Sequence, residues 1–130
     1  MPHITLEYSG NLDASVAMAD LCETVRQAAL SAGIFEVGAV RVRAVRCDAY
    51  AITDCDARNG FIDGSLRMGE GRPAETRRML GETIFAAMSD FLAPQLAGEY
   101  FALSFEVREI QSAMSFKTNT MHTRLRAQAV

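Results

Sequence analysis

Apolar and polar residues alternate from Ile4 to Tyr8, with Ile4, Leu6 and Tyr8 on one side and Thr5 and Glu7 on the other. That period of two predicts a half-buried strand. Ser9-Gly10-Asn11 supplies a turn, and either Asp13 or Ser15 is placed to cap a helix after it. From Ala14 to about Ala32 the period changes. Val16, Ala17, Leu21, Val25, Ala28 and Ala29 fall on one helical stripe, and Gly33 stands where a C′ residue ends a helix. Val37 to Ala51 reads as a second strand, with Val40, Val42 and Ala44 alternating against Arg41 and Arg43.

After a polar turn containing Asp54, Asp56, Arg58 and Asn59, the same order begins again. Phe61 to Met68 is a strand carrying Ile62, Leu66 and Met68 on one face. Gly69-Glu70-Gly71 turns the chain, and Pro73 sits where the first turn of a helix tolerates it. The next stripe is Leu80, Ile84, Met88, Phe91 and Leu92, with Pro94 just past its end. Tyr100 to Ile110 is a long strand with Phe101, Leu103, Phe105 and Val107 on one face. Two β-α-β units with right-handed crossovers predict an α/β (α+β) domain: a four-stranded sheet with both helices on one face. The units span about residues 1–52 and 60–110 of a single domain, 1–130. The second sheet face looks apolar along Tyr100 to Ile110, which predicts an oligomer covering it. The tail, 111–130, is expected to pack on a partner subunit.

Composition narrows the function. The chain has 130 residues and a formal net charge of −3, which gives no footprint for nucleic acid or an anionic membrane surface. No apolar run is long enough to span a bilayer, no charged-then-apolar leader precedes the first strand, and a cytoplasmic protein is the simplest expectation. Cys22, Cys47 and Cys55 are an odd set without C-x-x-C spacing, and the histidines are only His3 and His122. Neither a disulfide framework nor a metal centre is expected, and no phosphate-cradling glycine loop is present. Cofactors are expected to be none.

The chemistry then falls to ordinary side chains and the amino terminus. Pro2 directly follows Met1 at the head of a strand. Once Met1 is removed, Pro2 becomes a secondary amine, and burial or nearby cations lower the pKa of such a group towards neutrality. Two arginine groups are candidate anion binders. Arg41 and Arg43 share one strand face, and Arg72 precedes a helix whose amino-terminal amides also favour anions. An arginine pair beside a free amine fits a dicarboxylate. Arg46, Arg77, Arg78, Arg124 and Arg126 read as solvated surface residues, and His3 and His122 as structural or surface ones. Met18, Met68, Met79, Met88, Met114 and Met121 read as core filling. Glu7 is an auxiliary carboxylate candidate on the polar face of the first strand.

These motifs, in their order and spacing, resemble one family. Met1-Pro2-His3, Gly33-Ile34-Phe35, Arg41-x-Arg43, Gly69-x-Gly71-Arg72, Leu103-Ser104-Phe105-Glu106 and Phe116-Lys117-x-Asn119-x-x-His122 are similar to the tautomerase superfamily. Within it they resemble the 5-carboxymethyl-2-hydroxymuconate isomerases over nearly the whole chain. The second half resembles a 4-oxalocrotonate tautomerase unit that begins on the internal Phe61 instead of a free proline. The resemblance implies a homotrimer and a cofactor-independent isomerase of dicarboxylate or tricarboxylate dienols, serving aromatic catabolism such as homoprotocatechuate degradation. It implies Pro2 as general acid/base and Arg41 and Arg72 as carboxylate and oxo-group binders, with Arg43 a weaker candidate. The stretch from Arg46 to Asn59 follows no familiar pattern; if it borders the site, the substrate differs. The rivals are a promiscuous keto–enol tautomerase, a dehalogenase using Glu7 or Glu106 to activate water, or a non-catalytic oligomeric binder of small ligands.

Overall fold

A computed structural model describes residues 1–128. Four strands form one sheet in the order β2-β1-β3-β4: β1 is His3–Ser9, β2 Arg41–Cys47, β3 Gly60–Gly69 and β4 Phe101–Ile110. β1 runs parallel to β2, β3 runs parallel to β4, and the central pair β1–β3 is antiparallel. Helices α1 (Met18–Ser31) and α2 (Ala74–Phe91) connect the parallel pairs and pack on each other. This is the expected doubled β-α-β architecture. Between the helices and the sheet lie Ile4, Leu6, Ile62, Leu66 and Met68, meeting Leu21, Val25, Leu80, Ile84 and Met88, all fully buried.

Register decides which face is which. Leu103 pairs with Ile62, Phe105 with Gly64 and Val107 with Leu66, so the apolar side of β4 lies against the helix-covered core. Alternation alone does not say which of two faces is covered. The other face carries Thr5, Glu7, Asp63, Ser65, Ser104, Glu106 and Arg108, all placed there by the same register. The expected apolar face on the far side of the sheet is therefore a polar one, and that ground for an oligomer falls.

Several boundaries differ from the periodic reading. α1 begins at Met18, because Gly10–Ala14 forms a 3-10 turn that buries Leu12. Asp13 caps nothing. It accepts a hydrogen bond from the Tyr8 hydroxyl at 2.8 Å and another from Arg46 Nε at 2.8 Å. Ser15 makes no side-chain cap either. Gly33, one residue past the C-cap Ala32, has φ +72°, the left-handed conformation that glycine adopts without strain. β2 is shorter than expected, because it pairs only with the seven residues of β1, and Val37–Ala39 is a 3-10 turn. Pro73 is the N-cap of α2, one residue earlier than expected, and Pro94 lies inside a short helix, α3 (Ala93–Leu96). Met68 and Met88 are buried and Met18 packs against the core, whereas Met79, Met114 and Met121 are exposed and fill none of it.

The tail folds on its own chain. A 3-10 turn (Ser112–Met114) leads to helix α4 (Met121–Gln128), which rests on the Val37–Ala39 turn. Asn119 Nδ2 donates to the Gly38 carbonyl at 2.8 Å, and Arg126 grips both oxygens of Glu36 at 2.7 and 2.8 Å. These polar bonds hold the helix against the segment that follows α1. Residues 129–130 of the tail lie outside the described residues. Among the described residues, no helix is long and apolar enough to cross a membrane.

Candidate active site

The topology gathers four chain segments at one end of the sheet. β1 and β2 start there, and β3 and β4, running the opposite way, finish there. Pro2 precedes β1, Arg41 opens β2, and the Gly69-to-Pro73 turn follows β3. Gly71, at φ +108°, makes that turn possible. The tail begins at the same end, fastened where Ser112 donates from its backbone and hydroxyl to Glu70.

Together they enclose a cavity of about 490 Å³. Met1 and Pro2 form one wall, and Ile34, Phe35 and Glu36 come from the segment after α1. Arg72 enters from the β3–α2 turn, its guanidinium carbon 5.4 Å from the centre of the Phe35 ring, a cation–π contact that fixes it. Lys117, Asn119, His122, Thr123 and Arg126 come from the tail. Pro2 is buried, and its carbonyl accepts from the Arg41 amide at 3.3 Å.

The electrostatics are one-sided. The Met1 amine is held below the usual α-amino value, first by burial, then by Lys117, then by Arg41 and Arg72. An ammonium is disfavoured among these cations, and the same surroundings favour an anion. Among the described residues the cavity's one carboxylate, Glu36, is already paired; the hydrogen bond from Arg126 is the main reason it titrates below its ordinary value. His122 Nδ1 is buried 3.5 Å from Glu36 and has no hydrogen-bond partner among the described residues.

Of the expected site residues, Pro2 and Arg72 share the cavity. Arg41 stands beside it without lining it, and its Nη1 donates to the Ala39 carbonyl at 2.8 Å. Arg43 turns to His3, 3.2 Å away, and takes no part in the lining. Glu7 and Glu106 lie instead in a second cavity of about 380 Å³ on the polar sheet face, so neither stands beside Pro2. No residue of Arg46 to Asn59 lines the Pro2 cavity, because that stretch follows the far end of β2. Asn11 Nδ2 holds it there through the Asn59 carbonyl at 2.7 Å.

The tail residues escape sequence reasoning. Arg126, expected at the solvated surface, and His122, expected to be structural or at the surface, line the cavity, and Lys117 was visible only inside a motif. The spacing Lys117-x-Asn119-x-x-His122 was the available signal.

The profile of the 5-carboxymethyl-2-hydroxymuconate isomerase family matches residues 2–125. The chain belongs to this family. A 5-carboxymethyl-2-hydroxymuconate Delta-isomerase from Escherichia coli is 29% identical over 122 residues, covering 94% of this chain and 97% of that protein. The crystal structure of a 5-carboxymethyl-2-hydroxymuconate isomerase from Deinococcus radiodurans R1 is 34% identical. It superposes with a TM-score of 0.89 over 96% of this chain and 94% of that one. At greater distance, a fused 4-OT symmetric trimer shares the fold, with 13% identity and a TM-score of 0.62 over 93% and 98% of the two chains. The family is one of isomerases, and the chain shares its fold with the fused 4-OT.

Proposed function

We propose that this chain, once Met1 is removed, is a cofactor-independent isomerase with Pro2 as its general acid and base. The substrate is a 2-hydroxymuconate-type dienol, 5-carboxymethyl-2-hydroxymuconate by family. The Pro2 nitrogen takes the proton of the 2-hydroxyl group, and the O–H electron pair is delocalised over the dienolate. The prolinium returns the proton to C5, at the far end of the diene. The C2–O bond becomes a carbonyl, the remaining double bond moves to C3–C4, and the amine is regenerated. No atom is gained or lost.

One observation carries this reading: the amino terminus lies in a cavity beside three cations and is held below its usual pKa by burial and by those charges. A neutral amine next to an anion clamp is what the reaction requires. Arg72 neighbours the N-cap of α2, where backbone amides add to the stabilisation of negative charge on the oxo oxygen. Arg41 then holds the distal carboxylate. The fused 4-OT structure with this fold is a symmetric trimer, and a homotrimer is the assembly proposed here, working in the cytoplasm in aromatic catabolism.

The test is an ultraviolet assay of dienol conversion, with mass spectrometry on the same sample to establish Met1 removal. Conversion by the processed protein, lost in Pro2→Ala with the fold retained, is the expected result. A fully active Pro2→Ala variant would overturn the reading.

A further inference from the structure

The cations around the amino terminus divide by whether they are already paired. Arg126 is gripped by Glu36. Arg72, Lys117 and Arg41 have no carboxylate within ion-pair distance among the described residues. Three uncompensated positive charges therefore meet at one end of the sheet. In the reading above Arg72 takes the oxo oxygen with its neighbouring carboxylate and Arg41 the distal one, the two carboxylates that every 2-hydroxymuconate carries. The third has no assignment.

Lys117 is positioned by the tail. Two residues on, Asn119 is fixed by its bond to the Gly38 carbonyl and reaches Met1 Sδ at 3.5 Å. This places Lys117 in the cavity lining next to Met1 and Pro2. Of the three unpaired cations it acts most strongly on the amino-terminal nitrogen. The proton delivered in the isomerisation lands on C5, the carbon that bears the carboxymethyl arm. Whatever delivers the proton must stand against that carbon, so the arm lies in the cavity that Pro2 and Lys117 line together.

Resting on the isomerase reading above, we propose that Lys117 is a specificity-determining residue that binds the carboxymethyl carboxylate of the substrate. A lysine suits this role, being a compact charge on a long stem that follows a flexible arm without demanding bidentate geometry. Substrates with the arm are thereby favoured over those without it.

The experiment compares kcat/KM for 5-carboxymethyl-2-hydroxymuconate and for 2-hydroxymuconate, which lacks the arm, in the processed wild type, Lys117→Ala and Lys117→Arg. Lys117 is exposed and outside the core, so its truncation leaves the fold intact. Lys117→Ala should lower the ratio of kcat/KM for the armed over the unarmed substrate by about tenfold, as expected for one charge-assisted contact, because any effect on Pro2 falls on both substrates alike. Lys117→Arg should restore most of the loss. Equal losses on both substrates would mean that Lys117 acts only on Pro2, and no loss on either would mean that it does nothing; each overturns the proposal. A wild type inactive on both dienols would overturn the isomerase reading itself, and this proposal with it.

Discussion

Arg41 and Arg72 come to the same end of the sheet from unlike supports, one from the start of a strand and one from a turn before a helix. They should fail differently. Truncating either to alanine removes a charge-assisted contact worth about 1.5–3 kcal/mol. Arg72→Ala should lower mainly kcat, because charge on the oxo oxygen grows as the dienolate forms; Arg41→Ala should raise mainly KM. Arg46→Ala, which breaks ion pairs to Asp13 and Asp48 far from the cavity, is the control and should stay near wild type. Steady-state kinetics decide the matter, and two arginine variants that both match the control would remove the anion clamp. The pH profile adds a sign. A general base works when deprotonated, and the burial and nearby cations that lower the Met1 amine's pKa also surround the Pro2 nitrogen one residue on. Activity should therefore rise with pH through a midpoint below the ordinary α-amino value and then level off. A midpoint at or above that value would contradict the depressed amine. Pro2 and Arg72, which share the cavity, stand out in the sequence because a leading proline and an arginine before a helix are chemically singular; Arg41 and Arg43 stand out equally but do not line it, and Lys117 is one cation in a polar tail without periodicity.

At the scale of elements, β1, β3 and β4 were legible because each alternates cleanly, with one side buried in β1 and β3 and half-buried in β4. The start of α1 was not, since Leu12 and Val16 extend the apolar pattern through a turn that is not α-helical. α4 was missed for a different reason. It buries no residue and is held by polar contacts to Glu36 and Gly38, which leave no apolar stripe. Gly38 tests that hold. A Cβ there would lie 2.9 Å from His122 Nδ1 and 3.2 Å from Leu125 Cδ1, so in Gly38→Ala these side chains must shift, which loosens the seat of the helix. The expected outcome is faster proteolysis of the tail and a higher KM, with global stability changed by about 1 kcal/mol or less, because the opening is local. Limited proteolysis with mass spectrometry checks it; an unchanged cleavage rate would show that α4 does not depend on this contact.

For the whole molecule, the sheet's polar open face removes the first reason for expecting an oligomer, and exposed apolar residues in the tail replace it. Phe116 is 92% exposed and Met114 74%, on the segment that closes the cavity. A homotrimer should appear by light scattering, and an active monomer at assay concentration would contradict it. The amino terminus carries the central claim. Its most direct test compares the activity of the processed chain with that of a chain keeping residues ahead of Pro2, both verified by intact mass. In the extended chain the Pro2 nitrogen is an amide without basicity. Losing a general base costs about 10²–10⁴-fold in rate, so the extended chain should fall by that much while its fold and assembly persist. Full activity in the extended chain would contradict the account.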